Sequence, residues 1–131
     1  MRAIAGTGAS VAAASAEQLP YPDQAFDAVI CSAVLCSVTD QAVTLRELRR
    51  VLRPGGSLEF FEHIGSAPGS WSRRLQRAIA PISRLLDGGC DPARDTIDSL
   101  QESPFAIEKL DRRRSLGPFG LETILISGRA R

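Results

Sequence analysis

The sequence is short of several things, and each shortage narrows what the chain can do. It lacks net charge: sixteen Lys and Arg against fifteen Asp and Glu leave +1, so no overall field draws it toward nucleic acid or an anionic membrane. It lacks any apolar run near the roughly 20 residues that a membrane-spanning helix needs. Residues 1–6 carry no sustained apolar stretch of signal-peptide type, and a cytoplasmic location is the expectation. Cysteine is scarce: Cys31, Cys36 and Cys90 are an odd set without a Cys-x-x-Cys pair, and His63 is the single histidine. That spacing disfavours a disulfide framework or a structural zinc site and predicts free, mostly buried thiols of a reducing compartment. Internal repeats, low-complexity blocks and interdomain linkers are missing as well. With 44% apolar residues over 131 positions, one soluble domain with one core, residues 1–131, is expected.

What is present reads as an α/β pattern. Residues 1–10 are small and flexible in composition and predict a loop or a frayed helix end. Residues 11–15 suit a short strand, and Leu19-Pro20-Tyr21-Pro22-Asp23 a turn, because two prolines forbid regular pairing. Phe26-Asp27-Ala28-Val29-Ile30-Cys31 suits a strand buried on both faces of a parallel sheet. Asp40 can cap a helix to about Leu52, with Leu45, Leu48 and Leu52 on one stripe, Arg46, Arg49 and Arg50 facing water, and Pro54-Gly55-Gly56 ending it. Residues 57–64 read as a second buried strand, which makes a strand, helix, strand crossover with parallel pairing.

Beyond it, Trp71, Leu75, Ile79, Ile82 and Leu86 fall at helical spacing, with Pro81 able to kink the helix. That stripe, with Arg73, Arg74 and Arg77 opposite, predicts a helix covering the sheet or else a lid or membrane-surface helix. Asp91-Pro92 suits a cap and first turn for a helix ending near Glu102. Residues 105–113 and 121–128 alternate as strands joined by Gly117-Pro118-Phe119-Gly120, an antiparallel hairpin at one sheet edge. Arg112-Arg113-Arg114 lacks interleaved aromatics and reads as a solvated hairpin end, not a nucleic-acid patch.

Three strings in order, Ala16-Glu17-Gln18-Leu19-Pro20-Tyr21-Pro22-Asp23, Phe26-Asp27-Ala28-Val29 and Leu48-Arg49-Arg50-Val51-Leu52-Arg53-Pro54-Gly55-Gly56, resemble class I S-adenosylmethionine-dependent methyltransferases of the small-molecule type. Val34-Leu35-Cys36-Ser37-Val38, Glu62-His63 and Asp87-Gly88-Gly89-Cys90 are similar to the thiol methyltransferase branch. The resemblance implies a partial Rossmann-like methyltransferase sheet with helices on both faces and a C-terminal antiparallel hairpin, formed from the later strands of a seven-stranded sheet. It also implies S-adenosylmethionine as cofactor and a small-molecule methyl acceptor.

By the same resemblance, Ser15, Ala16 and Glu17 border the adenine, with the Ala16 amide as a donor; serine stands at 15 where the family commonly has aspartate. Cys31, Ser32 and Ala33, at the end of the first parallel strand, lie beside the methionine part, as ligands in open α/β sheets sit at strand C-terminal ends. His63 closes the next strand, where an imidazole can act as base or orient an acceptor, or simply bond backbone at the strand end. Glu62 can cap a following segment or pair with an arginine, and Cys36 and Cys90 can line an apolar pocket or only pack.

The family's glycine-rich loop and the acidic ribose ligand after it have no counterpart here; Gly6-Thr7-Gly8 has no apolar strand before it and reads as a loop. The expectation is therefore an N-terminally truncated methyltransferase domain. It either works within a longer reading frame or persists as a non-catalytic remnant or binding module. The missing strands would leave the edge of residues 26–31 bare and apolar, so that the chain dimerises or aggregates through it, or residues 11–15 slide into the vacant slot.

Overall fold

The computed structural model describes residues 2–3, 8–116 and 121–131. Nine elements follow in order: β1 (Arg2–Ala3), β2 (Ser10–Val11), β3 (Phe26–Ser32), α1 (Gln41–Val51), β4 (Leu52–Ile64), α2 (Trp71–Leu86), α3 (Thr96–Gln101), β5 (Ile107–Leu116) and β6 (Glu122–Ala130). The main sheet has the order β3-β4-β6-β5, parallel between β3 and β4 and antiparallel elsewhere.

The crossover expected from sequence is present. Asp40 caps α1 by accepting the N–H of Val43 at 2.9 Å, and the helix gives way to extended backbone at Leu52. Pro54-Gly55-Gly56 does not merely stop the helix. Phe26 pairs with Leu52 and Ala28 with Ser57, so the proline-glycine stretch is an excursion within β4 before the ladder continues to Ser32 opposite Phe61. The hairpin of β5 and β6 stands at the far edge as expected, and its turn at residues 117–120 lies outside the described residues.

One face of the sheet carries the core. Alternation along β4 sends Leu58, Phe60, Glu62 and Ile64 inward. There Leu58, Phe60 and Ile64 join Cys31, Leu45 and Leu48 of α1, Ile97 and Leu100 of α3, and Ile124, Ile126 and Ala130 of β6 in one cluster. Each such large side chain contributes about 1.5–3 kcal/mol on full burial. Gly128 of β6 lies under the Phe60 ring and against β5: a Cβ there would sit 2.7 Å from Phe60 Cζ and 2.0 Å from the Lys109 carbonyl oxygen.

The opposite face is less covered than sequence implied. Ile30 is 78% and Phe61 48% exposed, so β3 is not buried on both faces; it is an edge strand with only its inward side chains packed. Among the described residues no strand pairs with its free edge. Val11 pairs with Arg2 in a separate two-stranded ribbon, so residues 11–15 do not fill the slot, and residues 2–3 and 10 are strand rather than frayed helix.

Two further expectations are corrected. In α2 the apolar stripe is only partly covered: Leu75 and Ile79 are half-buried but Trp71, Ile82 and Leu86 are exposed, while Arg73, Gln76 and Ala80 are buried. Specific polar bonds win over apolar burial here, because Arg73 and Gln76 meet groups that no apolar side chain could satisfy. The third helix starts at Thr96 rather than at Pro92. Asp91 is instead buried in a turn, accepting the N–H of Ala93 at 2.9 Å and pairing with Arg84. Burial raises the Asp91 carboxyl, but the Arg84 and Ala93 hydrogen bonds outweigh it and hold it below its ordinary value.

Candidate functional site

The parallel strands β3 and β4 end side by side, and the chain leaves β3 through Ala33, whose φ of +53° is a left-handed conformation that alanine rarely takes. Two sets of bonds hold this bend. The Ala33 N–H donates to the Phe61 carbonyl at 2.9 Å. The next three N–H groups converge on Glu62: Val34 at 2.9 Å and Leu35 at 3.1 Å to Oε1, and Cys36 at 3.4 Å to Oε2. Glu62 is fully buried, and the Cys31 thiol completes its shell at 3.4 Å. Sequence reading offered Glu62 as a cap or an arginine partner. It is a cap, but for the preceding loop, and no short-range spacing could reveal that.

His63, next on β4, is half-buried on the other side of the strand, and its Nε2 lies 2.8 Å from the Cys90 thiol. Cys36 is close by, so that the ligand atoms of Cys36, His63 and Cys90 all fall within 4.8 Å of one another. Burial first, and the hydrogen bond with Cys36 next, push the Cys90 thiol up to about 12. Burial, then the Glu62 charge, also push the Cys31 thiol well above its ordinary range. Both are protonated at neutral pH, and all three cysteines are free and buried as expected.

Two cavities open here. One of about 610 Å³ is lined by Ala33, Cys36, Ser37, His63, Asp87 and Cys90 among others. An apolar one of about 350 Å³ lies along β3 and is lined by Ala16, Leu19, Phe26, Cys31 and Val34 among others. The structure thus brings Ala33 together with His63, and Ala16 together with Cys31. Ser15, Glu17 and Ser32 line neither cavity. Ser15 Oγ accepts the N–H of Glu17 at 3.2 Å, and the Glu17 carboxylate accepts the N–H of Asp40 at 2.9 Å, tying the segment to the start of α1. Cys31 turns its sulfur to the core, leaving only its backbone toward the strand end.

Away from these two cavities α2 is anchored by Arg73, which sequence set opposite the apolar stripe. Its guanidinium donates to the Ser66 carbonyl at 2.6 Å and grips Asp95 through two bonds, at 2.6 and 2.9 Å, which raise its pKa. Gly65 makes room for it, since a Cβ there would lie 2.7 Å from the Arg73 guanidinium carbon.

A parallel pair with a helical crossover, and a crevice at its strand ends, defines an open Rossmann-like α/β protein. Comparison with known proteins refines that class. A family described as a methyltransferase domain matches residues 2–60. Human thiol S-methyltransferase TMT1B is 38% identical over 91 residues, which cover 70% of this chain and 37% of the relative. Demethylmenaquinone methyltransferase of Streptomyces avermitilis is 34% identical over 109 residues, 80% of this chain and 47% of the relative. Among solved structures, a SAM-dependent methyltransferase from Methanosarcina mazei superposes with a TM-score of 0.61 at 19% identity, over 89% of this chain and 64% of that one, a likeness of fold. Together these matches support a class I S-adenosylmethionine-dependent methyltransferase. The chain spans less than half the length of the two curated relatives.

The family's cofactor is S-adenosylmethionine, and the residues here fit one wall of its site. The segment carrying Ala16 and the end of β3 border one cavity, and the strained Ala33 bend opens on the next.

Proposed function

We propose that this chain carries the acceptor side of a methyltransferase that acts on small molecules. Ser15, Ala16 and Glu17 would border the adenine through their backbone, and Cys31, Ser32 and Ala33 the methionine part. When bound, the cofactor supplies an electrophilic methyl group. The chain's task is then to hold an acceptor lone pair in line with that methyl and to keep it free of its proton. His63 faces the cavity where the acceptor would stand, and acts as base or orienting group. The observation that carries this reading is Glu62 gathering the N–H groups of Val34, Leu35 and Cys36, which fixes the bend at the strand ends where ligands of such sheets bind.

The same reading includes two surfaces. The bare edge of β3 favours a homodimer, and the outward apolar side chains of α2 favour contact with a membrane surface.

Two-dimensional amide NMR of the chain with added S-adenosylmethionine tests the proposal, since it reads weak binding. Shifts confined to residues 15–17 and 31–36 are expected. Saturating cofactor without such shifts overturns the reading in favour of a non-catalytic remnant of the fold.

A further inference from the structure

Cys36, His63 and Cys90 come from three separate stretches: the loop after β3, the end of β4 and the loop after α2. We propose that they bind a soft divalent cation of the zinc type and leave one coordination position open to the cavity, where an acceptor thiol binds through sulfur. The thiol half of this rests on the methyl-transfer reading above; the metal half does not.

The donor set is the first argument. The cation would displace the thiol protons of Cys36 and Cys90 to water, and two thiolates with an imidazole favour zinc over magnesium or calcium, which take oxygen. Their ligand atoms lie within 4.8 Å of one another, with both cysteines buried and the histidine half-buried. The present 2.8 Å between Nε2 and the Cys90 sulfur is a hydrogen-bond contact. Four-coordinate zinc, at about 2.0 Å from nitrogen and about 2.3 Å from sulfur, spaces such atoms about 3.5 Å apart. Side-chain rotation covers that difference.

The second argument is that backbone joins the ligand loops without any ion. The Asp91 N–H donates to the Cys36 carbonyl at 3.0 Å. Gly89 packs on the Ser37 carbonyl so closely that a Cβ would come to 2.9 Å. Cys36 is further fixed by its N–H on Glu62, and Ser37 Oγ lies 3.4 Å from its sulfur, placed to donate to a thiolate. Such outer partners orient metal ligands.

The third argument is the open side. All three side chains line the cavity of about 610 Å³, and three protein ligands with a vacant fourth position mark zinc sites that act on a ligand. An entering thiol forms a sulfur–metal bond and gives its proton to water, and its sulfur keeps a lone pair directed into the cavity. His63 then acts as a metal ligand that positions the acceptor, not as a base.

Cobalt(II) titration of the reduced chain, without S-adenosylmethionine, is the test. Expected are thiolate-to-cobalt charge-transfer bands and the intense visible bands of a four-coordinate ion, saturating at one cobalt per chain. Cys36→Ser, Cys90→Ser and His63→Ala should each weaken cobalt binding by more than about tenfold, the lower bound for loss of even an outer partner. Arg74→Ala, an exposed change on α2 outside the cluster, should leave the spectrum unchanged. Added 2-mercaptoethanol should strengthen the charge-transfer bands. Absence of those bands, or their survival in both Cys36→Ser and Cys90→Ser, overturns the metal site; bands indifferent to 2-mercaptoethanol overturn the thiol position. The cobalt spectra contain no cofactor and the NMR titration no metal, so either proposal can fail alone.

Discussion

The carboxylate of Glu62 on β4 accepts the backbone N–H of Val34, just past the end of β3, at 2.9 Å. It accepts two further N–H groups beyond that one, and so an acidic side chain with no exposure to water shapes the rim of the crevice.

Replacing Glu62 should therefore cost more than one hydrogen bond. Glu62→Gln can keep the Val34 and Leu35 bonds on its amide oxygen but turns an NH2 group toward the Cys36 N–H and gives up the charge, and Glu62→Ala orphans all three N–H groups. Each should destabilise the fold by about 2–3 kcal/mol, the scale of bonds to a charged group. Denaturant titration reads this, and a loss below about 0.5 kcal/mol would contradict the assigned role.

Arg73 is the matching case on α2. Arg73→Ala removes the Asp95 grip and leaves the Ser66 carbonyl without its donor, for an expected loss of about 2 kcal/mol. Arg74→Ala, on the exposed side of the same helix, should fall within about 0.5 kcal/mol of the parent. Equal effects at the two positions would show that α2 is not anchored as described.

Acid stability should register Glu47. The Arg50 hydrogen bonds hold its carboxyl at about 2, against 4.5 when unperturbed. A lowered folded-state value means that its contribution is complete above about 4.5 and disappears as the pH falls toward 2. Between those limits the parent should lose stability more steeply than Glu47→Gln, as urea midpoints at several pH values would show; parallel curves would refute the assignment.

The cofactor should bind this chain weakly, because the proposed function gives it only one wall, at residues 15–17 and 31–33. Calorimetry with S-adenosylmethionine is expected to give a dissociation constant above about 100 µM, or weaker than about −5.5 kcal/mol. Tighter binding would mean that residues not credited here grip it.

Association through the β3 edge should show in sedimentation velocity as a concentration-dependent shift. Ile30→Lys, which charges the exposed side of that strand, should suppress it. A monomer at every concentration would remove the dimer from the proposed function.

Much of the scaffold was legible because its signals are local. Asp40 as a cap, the leucines of α1, the apolar runs of β3 and β4 and the alternating hairpin all lie within a few residues of what they determine. The misread parts were nonlocal. Nothing near Arg73 announces Asp95, and without that partner the apolar stripe of α2 reads as its buried face. His63 and Cys90 stand 27 residues apart, beyond any ligand spacing that a sequence rule would test. The open edge of β3 agrees with the expectation, whereas the exposure of its outer face depends on what packs there, which its own residues do not encode.

Gly128 has a consequence for how this sequence can vary. Its place is demanded by room, with the Phe60 ring on one side and the Lys109 carbonyl on the other. Even alanine would wedge β6 from β5. In a library of all single substitutions selected for folded protein, position 128 should tolerate nothing else, while a compensating change would have to shrink Phe60 and shift β5 together. Two such changes rarely arise at once, so this glycine acts as a lock on the hairpin's descent.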